Sequence, residues 1–96
     1  MPKATWNGAT LAEAPAADIR RVEGNVYFPP GAVNHALLRE SQTHTTCHWK
    51  GVASYYDVVV DGQVNVDAAW FYPATKPEAD AIRGYVAFWK GVSVAD

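Results

Sequence analysis

The run Ser54-Tyr55-Tyr56-Asp57-Val58-Val59-Val60, then Asp61-Gly62, then Gln63-Val64-Asn65-Val66-Asp67-Ala68-Ala69-Trp70-Phe71-Tyr72 decides the fold class. Both arms are rich in β-branched and aromatic residues, which suit a pleated, half-buried surface, and Asp-Gly is a favoured two-residue hairpin loop. Such a loop sets Val60 opposite Gln63, Tyr56 opposite Asp67 and Tyr55 opposite Ala68. That register puts Ala53, Tyr55, Val59, Val64, Val66, Ala68, Trp70 and Tyr72 on one face, the expected core face. Tyr56, Val58, Asn65, Asp67 and Phe71 share the other face, and Asp57 needs a polar partner or an edge position.

Outward from this hairpin, turn residues cut the chain into short apolar pieces, as in a β-rich domain. Lys3-Ala4-Thr5-Trp6 and Ala9-Thr10-Leu11-Ala12 flank Asn7-Gly8, a pair suited to the two positive-φ positions of a type I′ turn. Ile19 to Val22 and Val26 to Phe28 flank Glu23-Gly24-Asn25, and Pro29-Pro30-Gly31 ends the second run because proline cannot donate to a ladder. A helical turn is expected over Val33 to Leu38. Lys76 to Arg83 reads as a helix with Pro77 at its first position and Gly84 at its end. Tyr85 to Trp89 and Val92 to Val94 read as a final strand pair joined at Lys90-Gly91. The expected fold is mainly β (small α+β): a single domain, 1–96, of antiparallel hairpins forming a coiled sheet or partly open barrel, with one short helix near 77–83.

Composition sets outer bounds on function. At 96 residues the chain has room for one domain, which buries about two-thirds of its unfolded surface. With 49% hydrophobic residues and four Trp, five Tyr and three Phe, a core is well supplied and disorder is disfavoured. Eight basic and ten acidic residues are scattered with no run longer than Arg20-Arg21, so a phosphate-binding basic patch is not expected and nucleic acid is not an expected partner. Cys47 is the only cysteine, which rules out an intramolecular disulfide and a multi-thiolate zinc site within one chain. No stretch approaches the roughly 20 apolar residues of a bilayer span, and Met1-Pro2-Lys3 is not followed by the apolar run of a signal peptide. The expected compartment is the cytoplasm, with no membrane partner. The glycines are isolated turn residues that spell no phosphate or dinucleotide motif, so no cofactor is expected.

Reactive side chains are dense only in Thr43-His44-Thr45-Thr46-Cys47-His48-Trp49-Lys50-Gly51. Read as a strand, this segment sends His44, Thr46, His48 and Lys50 to one face and Thr45, Cys47 and Trp49 to the other. A Cys47 nucleophile paired with histidine therefore requires a bend near Cys47, and the alternative is a buried core cysteine. His44 and His48 lie about 13 Å apart along a straight strand, too far to share a metal, so no metal is expected there. Trp6, Trp49, Trp70 and Trp89 either fill the core or line an open aromatic pocket, and core is expected for at least two of them.

Val22-Glu23-Gly24-Asn25-Val26-Tyr27-Phe28-Pro29-Pro30, the run Thr43 to Tyr56, Asp67-Ala68-Ala69-Trp70-Phe71-Tyr72-Pro73 and Gly84-Tyr85-Val86-Ala87-Phe88-Trp89 together resemble the domain of unknown function 427 family. The resemblance runs from the Trp6-Asn7-Gly8 turn to Val94 and implies a compact β-rich domain of small bacterial proteins. The family also carries a nucleotidyltransferase-like label, but no pair of metal-binding carboxylates of the kind such chemistry uses stands out in this sequence. One departure is His48, which follows the cysteine where members usually have proline.

Titratable and aromatic residues concentrate at 40–56 and 67–72, as a ligand pocket requires. The expected site lies at the mouth of the sheet. Cys47, His44 and Lys50 are its candidate catalytic residues, and Glu40, Thr46, Tyr55, Trp70 and Tyr72 are its candidate ligand-binding residues. The expected ligand is a small polar or aromatic molecule, and the chain is expected to be a monomer or homodimer. The alternative is a non-catalytic interaction or homo-oligomerisation module, because Tyr85 to Trp89 is almost wholly apolar and any part left unburied would be free to dock a partner.

Overall fold

In the computed structural model, which describes residues 1–96, Asn7-Gly8, Glu23-Gly24 and Asp61-Gly62 each place two successive residues at φ between 50° and 80°. This is the backbone that type I′ hairpin turns require, and Asn, Asp and Gly adopt it at little cost. The turns join β1 (Lys3–Trp6) to β2 (Ala9–Glu13), β3 (Arg20–Val22) to β4 (Asn25–Tyr27), and β6 (Gly51–Val60) to β7 (Gln63–Phe71). All three pairs are antiparallel, so the local turn chemistry and the strand pairing agree.

β5 (Leu38–Cys47), which equals β6 in length, forms the free edge of a four-stranded sheet ordered β5-β6-β7-β8, where β8 is Val86–Phe88. A second sheet has the order β2-β1-β9, with β9 at Ser93–Ala95, and β3-β4 form a third. Reciprocal backbone bonds between Phe28 and Val86, at 2.8 and 2.9 Å, tie the β3-β4 hairpin to β8. The sheets do not close into a barrel.

Three expectations require correction. The β6-β7 register starts as expected, with Val60 opposite Gln63, but Tyr56 faces Ala69 and Tyr55 faces Trp70, two residues further along. The cause is a bulge at Asp67, which sits at φ 55° and donates its backbone N–H to Asp57 Oδ1 at 2.9 Å. Asp57 is thus buried with two polar partners, the second being Arg39, whose Nη2 donates to Oδ2 at 3.0 Å. A core on one face alone is also incorrect. Val58, Ala69 and Phe88 belong to a larger core under one side of the sheet, while Ala53, Trp70, Tyr72 and Ala87 join Tyr27 and Ile82 in a smaller core on the other, and Val64 and Val66 are exposed.

The third correction concerns the C-terminus, where β8 and β9 do not pair. Val86 to Phe88 completes the β6-β7 sheet, whereas Ser93 to Ala95 crosses to β1. Lys90-Gly91, at φ 56° and 86°, redirects the chain between sheets. Val86, Ala87 and Phe88 are buried and only Trp89 of this apolar run is exposed, at 46%.

The helix expected near 77–83 is a 3₁₀ helix over Pro77–Ile82, with proline at its start and Gly84 at φ 79° beyond its end. Its i, i+3 repeat stacks Ala79 and Ile82 on the buried side. Shorter 3₁₀ turns cover Ala16–Asp18, Pro30–Ala32 and His35–Leu37, the last within the helical turn expected over 33–38. No helix is long and apolar enough to cross a membrane.

Candidate functional site

Small residues on one face of the β6-β7 pair leave room for rings. Ala53 and Ala87 are fully buried, and Tyr55, Trp70 and Tyr72 stand among them. From β4, Tyr27 reaches the same core, where its hydroxyl accepts a hydrogen bond from Trp70 Nε1 at 3.2 Å and its ring meets Trp70 edge-on at 6.1 Å. Trp89 meets Trp70 edge-on at 5.6 Å, and its own Nε1 donates to the Asp67 carbonyl at 2.5 Å. Thr45 Oγ1 and Tyr55 Oη lie 2.9 Å apart. These contacts orient the aromatic walls of a cradle of about 240 Å³ lined by Asn25, Lys50, Tyr55, Trp70, Tyr72 and Trp89.

Lys50 gives the cradle its charge. β5 ends at Cys47, and the turn His48-Trp49-Lys50 carries Lys50 back over the face that Cys47 occupies, so the straight-strand separation of the two does not hold. Lys50 is only 6% exposed, with its ammonium 5.5 Å from the Trp49 ring centre and 5.4 Å from that of Tyr72. Its Nζ donates to Glu23 Oε1 at 2.5 Å, and Glu23 is held in place by the tight β3-β4 turn. Burial, the largest single influence, lowers the ammonium pKa, but the Glu23 hydrogen bond together with Tyr27, Tyr72 and Cys47 more than offsets it and holds it well above the usual lysine range. Lys50 is therefore a fixed positive charge and not a base. The Tyr72 phenol is raised, chiefly by its burial.

Cys47 is half-buried against this core. Burial raises its thiol pKa, yet the backbone N–H groups of Lys50 and Trp49, together with the Lys50 charge, more than offset this and hold it below the ordinary cysteine value. The bend that a reactive Cys47 requires is present, but it brings lysine to the sulfur rather than histidine. We predict that iodoacetamide alkylates native Cys47 at neutral pH several-fold faster than cysteine in an unstructured peptide, and that Lys50→Met slows the reaction, because thiolate is the nucleophile. Labelling that occurs only after unfolding would make Cys47 a core residue.

Of the residues expected at the site, Lys50, Tyr55, Trp70 and Tyr72 line one cradle with Cys47 beside it. Glu40 and His44 point to the opposite side of the sheet, where they line a second concavity that shares Tyr55 with the cradle, and His44 Nδ1 lies 3.3 Å from Ser54 Oγ. Thr46 is exposed opposite Val52 and lines neither. Glu23, Asn25 and Tyr27 escaped sequence reasoning, since no local pattern connects the β3-β4 hairpin with a turn more than twenty residues away. Nowhere do three His, Cys, Asp or Glu side chains converge as a metal's ligands would. A family model labelled NTP_transf_9, with the description domain of unknown function (DUF427), matches residues 3–95. No curated protein matches the chain.

Proposed function

The chain belongs to the DUF427 family, whose description assigns no activity, and we propose that it binds a small planar aromatic anion in the cradle around Lys50. The observation that carries this reading is a permanently charged ammonium buried within aromatic walls. Ring faces of Tyr55, Trp70, Tyr72 and Trp89 suit a flat apolar body, and pockets that fix a ligand's orientation do so with few, well-placed polar groups. Here those groups are Lys50 and the Asn25 amide. Lys50 makes one hydrogen bond, to Glu23, so donor capacity remains for a ligand carboxylate. A cavity of about 240 Å³ limits the ligand to one or two rings.

Benzoate, with benzyl alcohol as its neutral counterpart, is the test. Benzoate should raise the thermal midpoint in a concentration-dependent way, by about 2.7 kcal/mol of stabilisation at a hundredfold excess over Kd. It should also saturably change the emission of Trp70 and Trp89. Equal binding of benzyl alcohol, or no saturable change with either, would overturn the proposal.

A further inference from the structure

We propose that the concavity on the opposite side of β6 is a second site, which binds a small organic cation through Glu40. It has a volume of about 300 Å³, its lining includes Glu40, Gln42, His44, Ser54 and Phe71, and it shares Tyr55 with the Lys50 cradle. A bulge in β5 opens it: Ser41, Gln42 and Thr43 stand opposite Tyr55 alone, between the pairs Glu40–Tyr56 and His44–Ser54. Bulges re-aim side chains and are frequent beside functional sites. This one is clamped from β7, where the Asp67 carboxylate accepts from Ser41 Oγ at 2.5 Å and Thr43 Oγ1 at 2.7 Å. The clamp holds Ser41 and Thr43 of the bulge against β7.

Its charge is unmet. The chain's ion pairs are Arg21–Asp96, Arg39–Asp57 and Lys50–Glu23, so Glu40 has no cationic partner and its strand neighbour Arg39 is engaged with Asp57. No lysine or arginine lines the concavity. Glu40 is close enough to Tyr56 that, after burial, its charge is the second cause raising the Tyr56 phenol above its ordinary pKa. Tyr56 in turn stacks on Phe71, with centroids 4.7 Å apart and planes at 16°. A carboxylate beside aromatic faces is a setting that attracts ammonium groups, through charge pairing and through the negative ring faces. The two sides of β6 therefore carry ionic groups of opposite sign, Lys50 paired with Glu23 on one and Glu40 without an ion pair on the other.

Amide chemical-shift titration with benzylamine, and with benzyl alcohol as the uncharged control, tests the inference. Benzylamine should saturably shift Gln42, His44, Ser54 and Phe71, bind about tenfold more weakly to Glu40→Gln, and keep its affinity in Lys50→Met. Glu40 is an exposed residue on an edge strand, so Glu40→Gln leaves the fold intact. Equal shifts from benzyl alcohol, an unchanged Kd in Glu40→Gln, or a Kd that follows Lys50→Met would each overturn it. Benzoate binding depends on Lys50 and benzylamine binding on Glu40, so Lys50→Met and Glu40→Gln separate the two sites although both are lined by Tyr55.

Discussion

Lys50→Met should weaken benzoate binding by about ten- to a hundredfold, the range of a charge-assisted hydrogen bond, while changing folding stability by about 1 kcal/mol or less. The asymmetry follows from burial. Lys50 is the buried partner of its ion pair, and the Glu23 side chain is 54% exposed. Removing the lysine leaves a carboxylate that water can solvate, and methionine refills the apolar space along the stem. The reverse change, Glu23→Gln, keeps an acceptor but removes the counter-charge of a buried ammonium, and should lower the midpoint more than Lys50→Met. A larger loss from Lys50→Met would show that the ion pair serves the fold and not a ligand. The pH dependence has a definite sign. The Lys50 hydrogen bond and charge hold the Glu23 carboxyl below its usual value, so the pair's contribution is complete above the ordinary carboxylate range and fades as pH falls through the depressed value. The raised lysine pKa sets the other limb, complete below the ordinary ammonium value of about 10.4 and lost as pH rises from there through the raised value. Binding should therefore be flat from about pH 5 up to the range in which the Cys47 thiol beside the cradle ionises, and should weaken above it because a thiolate there repels benzoate.

Local chemistry explains what could be read from the sequence. Asn7-Gly8 and Asp61-Gly62 announce their turns because few other pairs hold two successive positive φ angles, and the hairpins follow from them. Asp67 also adopts positive φ, but a single aspartate inside an apolar run gives no warning of it, so the register shift beyond Val58 was illegible. Tyr55, Trp70 and Tyr72 were legible as a group since alternation on neighbouring strands places them on one face. The partner of Lys50 was not, because Glu23 arrives through the Phe28–Val86 bridge, a contact between two sheets. His44 was misgrouped with Lys50 for a similar reason: the strand ends at Cys47, and the turn reverses the face beyond it.

Asp57→Ala should destabilise the protein by about 3 kcal/mol, and Asp57→Asn by about 1 kcal/mol, in urea or guanidinium unfolding. Asp57 Oδ1 accepts the Asp67 N–H in the stretch where the β6-β7 ladder is interrupted, so it takes the place of a strand carbonyl. Alanine removes that acceptor and leaves a half-buried donor without a partner. Asparagine keeps an oxygen there and loses the charge and the Oδ2 acceptor that face Arg39, whose side chain is 59% exposed, so water takes over its donors and solvent screens most of that pair. The consequence reaches the cradle. Asp67 holds Trp89 through its carbonyl and the β5 bulge through its carboxylate, so loosening it releases a wall of one site and the clamp of the other. Asp57→Ala should accordingly weaken both benzoate and benzylamine binding under conditions where the variant remains folded, whereas Asp57→Asn should preserve both. Equal destabilisation by the two substitutions would instead assign the role of Asp57 to its ion pair with Arg39, and the bulge would then be held by Ser41 and Thr43 alone.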